Sequence, residues 1–213
     1  MRRIALVLTV MTFALVLASG VALAVNKVGT DGPDTLRGTN GDDNLLGKGG
    51  NDVLYSLNGR DNLLGGPGKD CLLCTVQYRS FAGDKNLLGG PGNDFIWAGE
   101  GSENVVGGEG NDLLLDDTFR EFSKDNFSGG PGNDAIDVMH YVSARDRVEC
   151  GGGFDRVAAD SKDVVAPDCE KVVVFRGGTT FSEYIDVVQG FYASIPPNFY
   201  EGLHPRCFLL SGF

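Results

Sequence analysis

Aspartate recurs through this sequence at a fixed interval of nine residues. Asp34, Asp43, Asp52, Asp61 and Asp70 follow one another without a gap, each two positions after a glycine. Glycines so placed allow the left-handed backbone of a tight turn and let main-chain carbonyls converge where a Cβ would clash. A carboxylate at the end of such a turn adds a charged oxygen, and oxygens gathered from several turns are ligands for a hard divalent cation. Paired carboxylates could instead act as acid and base in glycoside cleavage. A regular nine-residue spacing is better explained by metal coordination.

The elements that position these oxygens follow from the rest of the unit. Residues 29–73 divide into five consecutive nine-residue units and residues 89–115 into three more, with further copies starting at residues 80, 120, 129, 141 and 150. Their common form is Gly-Gly-x-Gly-x-Asp-x-apolar-x. The residues after each Asp, such as Val53-Leu54-Tyr55, make a minimal strand with one inward apolar side chain. That inward column reads Leu36, Leu45, Leu54, Leu63, Leu72, Leu87, Ile96, Val105 and Leu114, which argues against a flexible Gly/Asp-rich linker. Two units, eighteen residues, complete one coil of a parallel solenoid with turns on both sides.

This pattern resembles the hemolysin-type calcium-binding repeat of the RTX (repeats-in-toxin) family, over about residues 29–172. The resemblance implies an all-β parallel β-roll with calcium ions held between successive turns by aspartate carboxylates and turn carbonyls. Carried onto the matching positions, it implies carboxylate ligands from Asp34, Asp52, Asp70, Asp94, Asp112, Asp134 and Asp155, with Asp43 and Asp61 as further candidates. Backbone ligands are implied at Gly50, Gly68, Gly92, Gly110 and Gly132. One buried leucine per unit does not offset the entropy of ordering nine residues. Stacked carboxylates, moreover, repel one another until a divalent cation neutralises them. The repeat region is therefore expected to fold on binding calcium.

If alternate units lie on opposite sides of the roll, the two sides differ. The odd side holds Asp34, Asp52, Asp70, Asp94, Asp112, Asp134 and Asp155, each in a glycine-bearing turn. The even side holds Asp43, Asp61, Lys85, Glu103, Asp125 and Asp146, and its glycines are mostly lost after Gly59. Three insertions, residues 74–79, 116–119 and 138–140, all fall just before an even turn. These features predict a calcium edge of odd turns and a degenerate edge of even ones. Lys85 puts an ammonium where a ligand belongs, so no ion is expected there; Glu103 either reaches the site or faces solvent.

Five cysteines suggest disulfides with one residue left over. Cys150 and Cys169 are about one coil apart, which brings their Cα atoms to about 5 Å on neighbouring rungs, within disulfide reach. Cys71 and Cys74 form a Cys-x-x-Cys, read as a local disulfide in preference to a redox or zinc pair. Cys207 is then unpaired or exchanges with one of these. His140 and His204 belong to no protease or triad motif and read as exposed loop histidines.

The ends of the chain bear on location. Residues 1–24 begin with Arg2 and Arg3, continue through an apolar stretch from Ile4 and end in Ala22-Leu23-Ala24, the pattern of a cleaved secretory signal. Uncleaved, the same stretch is long enough to anchor the chain in a membrane. The domain reading is signal peptide 1–24, β-roll 25–172 and an aromatic-rich C-terminal cap or tail 173–213. A net charge of −11 argues against nucleic acid and anionic membrane as partners. The expected function is a secreted, non-enzymatic calcium-binding protein with a structural, adhesive or cell-surface role, contacting a surface or an extracellular polymer. The alternative is an extracellular polysaccharide-acting enzyme built on a calcium-stabilised solenoid.

Overall fold

The computed structural model describes residues 24–74, 85–99, 101–116, 124–140, 145–175 and 181–196. The proposed signal segment, His204 and Cys207 lie outside these. Among the described residues, two eight-stranded parallel sheets form the body of the fold. The first contains β1 (Asn26–Val28), β3 (Asn44–Leu46), β5 (Asn62–Leu64), β7 (Asn86–Pro91), β9 (Asn104–Glu109), β11 (Asn126–Pro131), β13 (Arg147–Gly152) and β15 (Val164–Val165). The second contains β2 (Thr35–Arg37), β4 (Val53–Tyr55), β6 (Cys71–Leu73), β8 (Phe95–Trp97), β10 (Leu113–Leu115), β12 (Ala135–Val138), β14 (Arg156–Asp160) and β16 (Lys171–Phe175). Consecutive strands alternate between sheets, so each pair of units closes one coil of a β-solenoid, the β-roll expected from the repeat.

Register is kept throughout by the inward apolar residue. Leu45 pairs with Leu63, Leu63 with Leu87 and Leu87 with Val105 in the first sheet, while Leu36, Leu54, Leu72, Ile96 and Leu114 stack in the second. These side chains meet between the sheets as one buried cluster. The first insertion falls between β6 and β7 in sequence and leaves their register unchanged, because slipping a strand by even one residue would turn every core side chain outward. On the outer face of the first sheet an asparagine ladder runs along the axis. Asn44 Nδ2 donates to Asn26 Oδ1 at 2.7 Å, Asn62 to Asn44 at 2.7 Å and Asn86 to Asn62 at 2.8 Å.

The second sheet is covered on both faces. Val53, Cys71, Phe95, Leu113, Ala135 and Ala158 point away from the coil interior and form a second buried cluster with Leu73, Leu115, Met139 and Phe175. The helix α1 (Phe181–Ser194) contributes Phe191 to it, and Ile195 follows just beyond. Tyr192 Oη donates to Asp137 Oδ2 at 2.8 Å, fixing this segment to β12. What the described part of the C-terminal segment covers is thus the outside of a sheet.

The turns force glycine where coils touch. Gly108 has φ +122°, and a Cβ there would collide with the carbonyl oxygen of Gly90 one coil earlier. Gly152 has open space around its Cα. We predict that Gly108→Ala costs about 3 kcal/mol or more, whereas Gly152→Ala changes stability little, as read from thermal melts in saturating calcium; equal melting temperatures for the two variants would contradict this packing.

Candidate metal centre

Each odd turn ends in an aspartate that enters the next strand, and these aspartates stack in a column along one edge. The backbone N–H of each donates to Oδ1 of the aspartate one coil on: Asp34 to Asp52, Asp52 to Asp70, Asp70 to Asp94 and Asp94 to Asp112, all at 2.8 Å. The ladder continues from Asp112 to Asp134 at 2.9 Å and from Asp134 to Asp155 at 2.7 Å, and Asp155 N–H ends it on Glu170 Oε2. The structure therefore gathers all seven odd-side aspartates in one line, as the alternation of units requires. A second ladder steadies the turns from outside, with Asn111 N–H on Asn93 Oδ1 and Asn133 N–H on Asn111 Oδ1.

Using Oδ1 for the ladder leaves Oδ2 over. In Asp52, Asp70, Asp94, Asp112, Asp134 and Asp155 this second oxygen is buried and accepts no hydrogen bond. From Asp52 to Asp134 it is aimed at the first glycine of its own turn, beside the carbonyl one coil on; in the last turn Cys150 stands in place of that glycine. A Cβ on Gly47 would meet Asp52 Oδ2 and stand 2.6 Å from Gly65 O; one on Gly107 would meet Asp112 Oδ2 and stand 2.7 Å from Gly129 O. The carbonyl oxygens of Gly50, Gly68, Gly92 and Gly110 each face the matching glycine of the following coil. Donor-free carboxylate oxygens beside main-chain carbonyls, lining a space that glycine leaves open, are a donor set that fits calcium. Without a cation, burial makes ionisation unfavourable. It pushes Asp94 up to about 9, helped by its like-charged neighbours Asp112 and Asp70, and it pushes Asp134 to about 8 and Asp70 and Asp112 to about 7.

The first coil is different. Asp34 Oδ2 accepts from the Thr30 backbone N–H and hydroxyl, at 2.5 and 2.9 Å, and its carboxyl is held below the usual range by these bonds. Asp43 Oδ2 is met in the same way by Thr39. Threonine hydroxyls here supply what the later turns lack. Asp61, one coil on from Asp43, again has a buried, donor-free Oδ2 and is pushed up to about 6 by burial.

Beyond Asp61 the even edge keeps the ladder and loses the glycine cradle. Glu103 N–H donates to Asp125 Oδ1, and Asp125 N–H to Asp146 Oδ1. Lys85 and Glu103 are both buried, with Lys85 Nζ 3.9 Å from Glu103 Oε1. Glu103 therefore neither faces solvent nor waits for an ion, because an ammonium from the neighbouring coil stands against it. Lys85 also acts on Asp61, drawing its carboxyl downward against the effect of burial.

Two further expectations need correction. Cys150 and Cys169 form the disulfide, with Cα atoms 5.2 Å apart, but Cys71 and Cys74 do not. Cys74 is a free, buried thiol, pushed up to about 12 by burial, and Cys71 is bonded to a partner outside the described residues. Side chains alternate along a strand: Cys71 joins the outer cluster of the second sheet while Cys74 joins the interior, so the two thiols lie on opposite sides of the chain. His140, expected in an exposed loop, is 1% exposed and lies between Asp116 and Asp146. Nothing in the nine-residue pattern marked it, since it belongs to an insertion.

We predict that Lys85→Met destabilises the roll by about 3 to 5 kcal/mol, since it leaves Glu103 a buried carboxylate without its ammonium, and that adding Glu103→Leu recovers most of the loss. Chemical denaturation at fixed calcium measures both; a neutral single variant would show that the pair does not hold this edge.

The RTX calcium-binding nonapeptide repeat, in a four-copy family description, matches residues 28–63, 37–72 and 81–114. No curated protein matches the chain. The matched residues cover the coils from Asp34 to Asp112, and over residues 28–114 the chain is similar to the calcium-binding repeats of the RTX family.

Proposed function

We propose that this is a secreted calcium-binding repeat protein that folds on calcium outside the cell and serves a structural, adhesive or surface role there. The observation that carries this reading is the line of buried, donor-free Oδ2 atoms from Asp52 to Asp155. Such a column is unfavourable when charged and unfilled, and favourable when divalent ions sit between neighbouring carboxylates. Extracellular calcium modules bind in the range of about 0.1 to 1 mM, so the sites fill outside a cell and empty inside one. Folding then follows export. Polar ranks on the first sheet, with Asn62, Asn86 and Asn104 exposed on its outer face, support contact with a hydrated polymer or cell surface.

The test is a calcium titration of the chain followed by circular dichroism, with bound metal counted at the end point. We expect a cooperative rise in β signal with several ions bound. Asp94→Asn with Asp112→Asn should lower the count by about two to three ions. Asp125→Asn should leave it nearly unchanged, because the amide oxygen still accepts from Glu103 N–H. Circular dichroism indifferent to a chelator would sink the reading and bring the polysaccharide-acting enzyme forward, to be sought by a hydrolysis or lyase screen.

The raised carboxyls give a pH dependence with a definite sign. Between the ordinary carboxylate value of 3.8 and the raised values of about 7 to 9, the folded, metal-free column holds protons that the unfolded chain has released. Metal-free stability therefore falls as pH rises through that window. Calcium must displace the same protons, so its affinity should climb between about pH 6 and pH 9, with proton release on binding near pH 7. Calorimetry in buffers of different ionisation enthalpy reads this directly, and affinity flat over that range would contradict it.

A further inference from the structure

Away from the aspartate column, the even edge gathers donors of another kind. Asp116 directly follows β10, His140 closely follows β12 and Asp146 immediately precedes β13, so two neighbouring even turns bring them together. A ring nitrogen of His140 and one carboxylate oxygen each of Asp116 and Asp146 lie within 4.8 Å of one another, and all three residues are buried. His140 Nε2 is 3.5 Å from Asp116 Oδ2, and Nδ1 is 3.4 Å from Asp146 Oδ2. Asp146 Oδ2 is buried and accepts no hydrogen bond, and a fourth buried carboxylate stands in the same region. Asp160, at the end of β14, is 4% exposed; its Oδ2 is buried without a hydrogen-bond donor, and it lies within the field of both His140 and Asp146.

Ligands that share a tetrahedral ion at about 2.0 to 2.2 Å stand about 3.2 to 3.6 Å apart; each carboxylate has that spacing to a different ring nitrogen of His140, so one nitrogen and its carboxylate are in place and the other carboxylate stands within 4.8 Å of them. An imidazole nitrogen is a poor ligand for calcium and a good one for zinc and its neighbours. We propose that Asp116, His140 and Asp146 form a site for one divalent transition ion, zinc by donor type. Such an ion ties two even turns together in the part of the edge where the glycine cradle is lost. It is distinct in place and in chemistry from the odd-edge column.

The experiment uses the full chain in millimolar calcium, titrated with zinc and separately with cobalt(II), with metal content measured after desalting. We expect one zinc retained per chain and a visible cobalt absorption of tetrahedral nitrogen and oxygen coordination. His140→Gln and Asp116→Asn should each weaken zinc binding by about 100-fold or more while the calcium count stays the same. No zinc uptake by the unaltered chain would overturn the site, as would equal affinity in both variants or a thiolate charge-transfer band placing the ion on Cys74. Should the variants fail to fold, the cobalt spectrum and zinc count of the unaltered chain decide alone. The calcium count in the same samples keeps a failure here separate from a failure of the calcium reading.

Discussion

A column of carboxylates stacked one coil apart is the constraint on which the rest of this structure depends. Solenoid geometry repeats whatever stands at a given position, so a turn that ends in aspartate commits every following coil to another aspartate beside it. Each Oδ1 is used by the neighbouring N–H, which fixes the rise between coils, and each Oδ2 is left facing inward. A buried anion next to a like charge is unfavourable on both counts. The chain answers this differently from place to place. Thr30 and Thr39 donate to the carboxylates of the first coil, and Lys85 sets an ammonium against Glu103. Along the odd edge no such protein donor reaches Oδ2 from Asp52 onward, and from Asp52 to Asp134 those turns keep the first glycine against which Oδ2 lies.

Much of this was legible in the sequence, because a period of nine leaves little freedom. The inward residues Leu45, Leu54 and Leu63 predict strand, sheet and register together, and the alternation of units predicts that Asp52 and Asp70 share an edge while Asp61 lies across from them. The outer covering of the second sheet was not anticipated, although its central strands read Val-Leu-Tyr, Cys-Leu-Leu, Phe-Ile-Trp and Leu-Leu-Leu, apolar at every position, whereas most strands of the first sheet open on asparagine. A strand apolar on both faces is covered on both faces.

What could not be read has a common cause. His140 and Asp116 belong to insertions, where the period gives no address, so their approach depends on how two neighbouring turns happen to lie. The cysteines failed for a related reason. Cys-x-x-Cys looks local along the sequence, yet a strand placed between its members sends them to opposite faces, and Cys74 ends among the interior leucines. The role of Thr30 and Thr39 was also hidden, since a threonine at the second position of a unit differs from glycine only by a side chain that the consensus treats as a substitution.

The confinement of insertions to the even edge follows from the same constraint. Neighbouring odd turns must present carboxylate and carbonyl oxygens at one spacing, since any oxygen set shared between two coils fails if either turn changes length. Odd turns accordingly keep one length from Gly29 to Asp155, apart from the few residues that vary outside the cradle. Even turns after Asp61 hold their charges by protein groups, Lys85 against Glu103 and His140 between Asp116 and Asp146, and a side chain can reach across a turn of altered length. Losing the shared site thus frees the loop to grow, and the side chain that replaces it comes from the repeat's own aspartate position at Lys85 and from an insertion at His140. The two edges are one repeat under two different demands: the odd edge is held to a fixed geometry by oxygens that must coincide, and the even edge is released from it by side chains that need only meet.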